Sequence, residues 1–362
     1  MSESHIKSEK ARHTAKPMWL RLLPGFVLAG VLTTASMLLG EMPWFINLGL
    51  GALTLAILLG IIAGNTVYPH IRPQCEAGVG FAKHYFLRAG IILYGFRLTF
   101  QQIADVGISG VIIDAVMLTS TFLIAMYIGR KWFGLDRETV ILIGAGSSIC
   151  GAAAVMATEP VVKAPASKVA VAVSTVVIFG TIGIFLYPWL FHLNAALGWL
   201  PFTDMSFGVY AGSSVHEVAQ VVAIGHTISP DAENSAVISK MIRVMMLAPF
   251  LLLPSQYLSR QKSNAGGAAK EKSKITIPWF AVFFILVAGF NSFHLIPEVI
   301  VRQIIVLDTI LLAMAMVALG LTTHVSAIRQ AGIKPMLMAL VLFVWLIGGG
   351  AAINLLIPLI TG

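Results

Sequence analysis

Apolar residues fill most of this chain in long, nearly unbroken blocks separated by short polar or basic connections. About 20 apolar residues in a helix cross the hydrocarbon core of a bilayer, so the length of each block, more than its periodicity, is the primary signal. Nine blocks read as spanning helices, at about 18–39, 45–64, 84–98, 108–129, 167–190, 236–257, 279–294, 303–321 and 336–360. Two more, at about 139–158 and 207–226, are richer in Gly, Ser and Ala and share a phrase. It reads Ala145-Gly146-Ser147-Ser148-Ile149 in one and Ala211-Gly212-Ser213-Ser214-Val215 in the other. Gly and Ser let a helix break, and a broken helix exposes N–H and C=O groups that lipid cannot satisfy. Such backbone survives at membrane depth only where protein buries it or a wet cavity receives it. The expected fold is therefore all-α, a polytopic transmembrane helix bundle with two interrupted or re-entrant segments.

Composition agrees. The chain has 362 residues, 57% of them hydrophobic and 11% charged, against roughly 25% charged in soluble domains. Residues 18–362 are expected to form a single transmembrane domain, preceded by a polar, basic cytoplasmic tail at 1–17 and carrying a cytoplasmic linker at about 259–277. The apolar segment after the tail lacks a small-residue cleavage site, so it reads as a retained helix rather than a signal peptide. The net charge of +8 resides in short connections, where the positive-inside bias places Lys and Arg, and it implies no nucleic-acid partner. With Cys75 and Cys150 as the two cysteines and no Cys/His spacing of a zinc site, neither a disulfide framework nor a metal or other cofactor is expected.

Charge also bears on the two Gly/Ser segments. As re-entrant hairpins they place Lys163 and Lys168 in the cytoplasm with Arg130, Lys131 and Arg137, and leave Asp204, Asp231 and Glu233 outside. As full crossings they put Lys163 and Lys168 outside and the connection 191–206, which has no Lys or Arg, inside, so the hairpins obey the positive-inside rule better. Both arrangements put the N-terminus inside and the C-terminus outside. A second similarity links Gly95-Phe96-Arg97-Leu98-Thr99, Ile103 and Gly107 with Gly320-Leu321-Thr322-Thr323-His324, Ile328 and Gly332. The helices carrying these motifs are expected to run in opposite directions, which reads as an inverted repeat, the usual construction of secondary transporters. Chance recurrence of Gly-x-Thr at helix ends in a Gly-rich chain is the competing account.

The candidate chemistry lies in the same segments. Gly144 to Gly151 is close to a dinucleotide fingerprint, but no strand precedes it and that reading is discarded. In a membrane, Gly146 and Gly212 permit unwinding, and the hydroxyls of Ser147, Ser148, Ser213 and Ser214 suit ligand or ion coordination. A helix N-terminus after each break would aim free N–H groups at an anion. Packing through small residues accounts for part of the same pattern. His216 and Glu217, adjacent in an apolar stretch, are costly unless they face a cavity or each other. On a continuous helix Ser213, His216 and Gln220 would share a face with Glu217 beside them, a proton-binding or substrate-binding surface. A structural polar cluster at a hairpin tip is the alternative. Asp114 and Asp308 are the remaining intramembrane carboxylates and candidate ion sites. Lys83, Arg88 and Arg97, near helix ends, are expected to snorkel, and Asn65 and Asn291 to act as helix C-caps.

The segments Gly146-Ser147-Ser148-Ile149-Cys150-Gly151-Ala152 and Ser214-Val215-His216-Glu217-Val218-Ala219-Gln220, with Tyr94-Gly95-Phe96-Arg97-Leu98, closely resemble the YeiH-like bacterial membrane proteins, a family labelled as sulfate exporters. The resemblance covers nearly the whole chain; Gly225-His226 is a mild departure from the expected pattern. It implies an inverted-repeat fold distantly similar to sodium/proton antiporters and bile-acid symporters, a multi-pass place in the bacterial inner membrane, and transport of a small anion.

The expectation is thus a secondary active transporter, not an enzyme, of a small inorganic or organosulfur anion. His216 and Glu217 would couple it to protons, and Gly146, Ser147, Ser148, Gly212, Ser213, Ser214 and Gln220 would bind the substrate. Cation exchange against protons, with Asp308 or Glu217 binding sodium, is the alternative. An intramembrane enzyme using His216 and Glu217 as acid and base lacks an accompanying nucleophile or metal set. Lipid is the evident partner, and the oligomeric state, a homo-oligomer included, stays open.

Overall fold

The computed structural model describes residues 17–47, 51–247, 249–251, 279–323 and 332–361, and the described residues include no strand. The expected tail and the linker at 259–277 lie outside them, apart from Pro17. Six described helices are long and apolar enough to cross a membrane. We number the main helices α1 Met18–Gly40, α2 Ala52–Asn65, α3 Tyr68–Phe81, α4 Leu87–Tyr94, α5 Phe100–Lys131, α6 Arg137–Ser148 and α7 Ala152–Val162. There follow α8 Ala166–Leu197, α9 Asp204–Ser214, α10 Val218–Ile228, α11 Pro230–Met245, α12 Trp279–Ser292, α13 Glu298–Leu321 and α14 Ile333–Thr361.

The six long helices coincide with six of the nine expected blocks, the blocks at 45–64 and 279–294 contain the shorter apolar helices Ala52–Asn65 and Trp279–Ser292, and two differences are instructive. The block expected at 84–98 is the end of a longer rod. In it α3 passes through a π-helical turn at Ala82–Phe86 into α4 and closes on a 3-10 turn at Gly95–Arg97. The polar face of α3, with Arg72 paired to Glu76, hid this extension from a reading based on apolar length. The helix expected at 108–129 begins at Phe100, where Thr99 caps it by accepting from the Gln102 N–H. The expected boundary coincides with a kink, since Gly107 sits inside this helix at φ 58°.

Helices α1 to α4, α12 and α13 pack mainly among themselves, as do α5 to α11 with α14. In the first set small residues bring backbones into contact. A Cβ on Gly320 would lie 2.4 Å from the Ile57 carbonyl oxygen, and one on Gly60 would lie 2.5 Å from that of Val317. Helices α4 and α13 run antiparallel, because Lys83 donates to Thr322 at one end while Arg97 meets Asp308 towards the other. The helices that lead into the Gly95 and Gly320 motifs therefore run in opposite directions.

Both Gly/Ser segments are interrupted. The first breaks at Ile149–Gly151 between α6 and α7, and the second at Val215–Glu217 between α9 and α10. In each, the arms return to the end they left. Lys168, just past α7, binds Asp136 at 2.7 Å and Glu138 at 2.9 Å at the start of α6. Likewise α9 and α10 both run beside α11: Ser235 donates to the Met205 carbonyl near the start of α9, and Gly225 near the end of α10 abuts Glu233.

Two outcomes follow. Gly320→Ala should force α2 and α13 apart and lower the thermal stability of the purified protein by about 1–3 kcal/mol. Gly30→Ala, where nothing lies within 4 Å, should leave the melting temperature unchanged. At the mouth of the first hairpin, burial disfavours the Asp136 carboxylate, but hydrogen bonds from Lys168 and Thr139 outweigh it and hold the group below its usual 3.8. A lowered carboxyl stabilises the fold above its ordinary value and loses that contribution as pH falls through the folded-state value. Thermal unfolding followed downward in pH should show an acid-side loss that Asp136→Asn removes.

Candidate functional site

The two breaks meet. Ser147, Ser148 and Ile149 end the first arm of one hairpin and Ser213 to Val215 end the first arm of the other, so each carries carbonyls with no partner in its own helix. Two cations of α11, one turn apart, receive them. Lys240 Nζ donates to the carbonyls of Ile149 and Val215, each at 2.7 Å. Arg243 donates to those of Ser148 at 2.7 Å, Ser147 at 3.0 Å and Ser213 at 2.5 Å. Both side chains are 0% exposed. The arrangement places positive charge against the negative ends of two helix dipoles and gives two buried cations hydrogen bonds in place of water.

The second arms present the opposite polarity. Glu217 is the N-cap of α10: its carboxylate accepts from the Gln220 N–H while the Gln220 side chain accepts from the Glu217 N–H at 3.0 Å. The same carboxylate lies close to the N–H of Ala152, the first residue of α7. One side chain thus stands at the N-termini of both returning arms. Gly151, at φ 69°, makes room for it, since a Cβ there would lie 2.6 Å from Glu217 Cγ. Glu217 is partly exposed. Lys83, His84 and Lys240 bear on it electrostatically.

This geometry revises several expectations. His216 and Glu217 lie in a break between helices, so the shared helical face of Ser213, His216 and Gln220 does not exist. Val215 and Glu217 are extended, because α9 stops at Ser214 where its carbonyls find the α11 cations. His216 is buried against Phe343, and its Nδ1 has no hydrogen-bond partner among the described residues. The serine hydroxyls mostly turn back on their own helices: Ser148 to Ala145, and Ser213 and Ser214 to Tyr210. Ser213 also accepts from Asn354, and Ser214 from Tyr187. Ser147 Oγ has no hydrogen-bond partner among the described residues. Gly212 packs on Ala236 and Ser239, and Gly146 on Val155 and Val176, so both glycines permit close packing beside the breaks.

Asp114 belongs to the centre. Its buried carboxylate accepts from Ser239 at 3.2 Å and interacts with Arg243 and Lys240. Asp308 does not: it is 0% exposed and paired with Arg97 at 2.8 Å. Arg97 therefore does not snorkel; it binds Asp308 and Thr309 and lies over the Tyr94 ring. Asn291 and Asn65 tie segments together instead of merely ending helices, Asn291 through the carbonyls of Phe96 and Leu98 and Asn65 through that of Thr323. Arg97 also lines a cavity of about 400 Å³ with His226, Glu233 and Asn234. His226 and Glu233 pair at 3.0 Å, and Tyr94 donates to Asn234.

Sequence reading missed Lys240 and Arg243. Their signal was available, since two cations three positions apart inside the apolar block 236–257 carry a cost that demands partners. Arg243→Leu should strand carbonyls of both breaks and leave Asp114 undercompensated. We expect it to lower stability by about 3–5 kcal/mol in thermal unfolding, whereas Arg302→Leu, on an exposed surface pair, should be silent.

The family model described as Conserved hypothetical protein 698 matches residues 24–339. A UPF0324 membrane protein of Photorhabdus laumondii is 66% identical over 355 residues, 98% of each chain. Another, of Yersinia pestis, is 67% identical over 337 residues, 93% of each chain. The UPF0324 inner membrane protein YeiH of Escherichia coli K12 is 64% identical over 354 residues, 98% of each chain. No solved structure matches.

Proposed function

The chain belongs to the Conserved hypothetical protein 698 family and is a multi-pass inner membrane protein, and from that premise we propose that it is a secondary active transporter of a small inorganic or organosulfur anion, coupled to protons and working by alternating access. The observation that carries the reading is the convergence of two helix breaks, with buried charges of both signs, at the interior of an apolar bundle. Irregular backbone at such depth survives only where protein buries it or it lines a wet cavity, and in transporters such breaks mark the substrate site. Two interrupted segments whose breaks lie tip to tip also suit a transporter, where the substrate site sits at such breaks.

The anion reading rests on polarity. The ends of the two breaks that are not sealed by Lys240 and Arg243 are helix N-termini, at Ala152 and Val218, and these attract negative charge. The α11 cations are already committed to carbonyls and to Asp114, so they fix the frame and supply a background field rather than a grip on the solute. Glu217 is the group in this centre that combines a carboxylate with partial exposure, and it is the proton carrier in this reading. Sodium/proton exchange is the second reading, favoured by Asp114 and Glu217 lying in one centre.

Uptake of radiolabelled sulfate into proteoliposomes, with and without an imposed pH gradient, tests the proposal. Gradient-dependent flux should be present in the wild type, and Glu217→Gln should abolish its dependence on the gradient. Sodium-driven proton movement in the absence of any transported anion would overturn the anion reading and favour cation exchange.

A further inference from the structure

Resting on that reading, the geometry around Glu217 points to how proton and anion are linked. We infer that the Glu217 carboxylate is a tethered anion occupying the substrate's own seat, so that the solute enters only as Glu217 takes up a proton and withdraws. Three observations carry this. The carboxylate stands beside Gly151 and the Ala152 N–H at the start of α7 and belongs to the capping box with Gln220 at the start of α10, so it sits where two helix N-termini of separate hairpins converge. Its place is built, since Gly151 lacks the Cβ that would collide with Glu217 Cγ and holds the left-handed backbone that a side chain would disfavour. And it forms no ion pair among the described residues, although Lys83 stands nearby and donates to Thr322.

Charge balance gives the link its direction. The centre holds two cations, Lys240 and Arg243, and two carboxylates, Asp114 and Glu217. A solute anion added to that set raises net negative charge in a medium where an uncompensated charge is expensive. Protonation of Glu217 removes one charge and at the same time breaks its hold on the two N-termini, which the solute then takes. One proton from the adjoining aqueous phase is bound for each anion bound, and no other bond changes. The groups that bear on Glu217 are Lys83 and His84 on the π-helical turn, Lys240 on α11 and Cys150 in the opposing break, with His216 its chain neighbour. None of them is a carboxylate that could take over the same role. Anion and proton then occupy one intermediate and cross in the same direction.

The experiment is equilibrium binding of sulfate, thiosulfate and chloride to the purified full-length protein, with proton uptake recorded in weakly buffered solution. For at least one of these anions the wild type should take up about one proton per anion bound, and its affinity should fall about tenfold per pH unit on the alkaline side. Glu217→Gln, neutral like the protonated carboxyl and so leaving the two N-termini to the solute, should bind the same anion with no proton uptake and no such pH dependence. If an anion binds the wild type without proton uptake, or the variant keeps the wild-type pH dependence, the tethered-anion inference is overturned while anion transport stands. The wild-type record decides this even if the variant does not fold. If none of the three anions binds either protein, the anion reading falls and the inference falls with it.

Discussion

Five backbone carbonyls in the middle of an apolar bundle have no helical partner, and two lysine and arginine side chains of one helix receive all of them. Neither side of this bargain is stable alone. Buried carbonyls at the ends of broken helices cost free energy unless bonded, and buried cations cost far more unless they are solvated by something other than water. Together they hold two interrupted segments tip to tip and decide where α6 and α9 must stop. The position of the breaks then fixes the starts of α7 and α10, and hence the place where Glu217 stands at both. The site's polarity, C-termini sealed by cations and N-termini facing a carboxylate, follows from this one arrangement.

The rest of the fold serves it by keeping the centre enclosed. Helices α5, α8 and α14 flank the hairpins, and α14 runs antiparallel to α5, as Met338 beside Gly129 and Ser109 bonded to Thr361 establish. The other set, with α1 to α4, α12 and α13, meets the hairpin set through a mostly apolar surface crossed by a few polar ties. Tyr94 to Asn234 and Thr54 to Thr227 are two of these. A boundary with little specific bonding between two internally well-packed sets suits relative motion better than one laced with ion pairs, as the proposed alternating access would require.

The bundle was legible in the sequence because the bilayer imposes a length rule that apolar composition reveals directly. The breaks were legible too, since Gly146-Ser147-Ser148 and Gly212-Ser213-Ser214 are poor ways to continue a helix. What lay inside the breaks was not. Placing Ser213, His216 and Gln220 on one face assumed that helical spacing persists through Glu217, and the decisive fact, the capture of the α9 carbonyls by Arg243 and Lys240, is a contact between residues distant in sequence. Arg97 shows the same limit from the other side: its position near a helix end suggested snorkelling, but the partner that buries it, Asp308, lies 211 positions away. The serine hydroxyls were read as free donors because a sequence does not show that Tyr210 and Ala145 offer carbonyls within one turn.

The measurement that bears most directly on this account is cross-linking between the two breaks in the intact membrane. In a background with Cys75 and Cys150 replaced by serine, cysteines at Ile149 and Val215, the two positions whose carbonyls share Lys240, are treated with a short bifunctional thiol reagent. The account predicts efficient intramolecular cross-linking of this pair and none between Ile149→Cys and Val162→Cys, at opposite ends of one hairpin arm. Failure of the first pair to link in a folded preparation would contradict the meeting of the breaks, and with it the site.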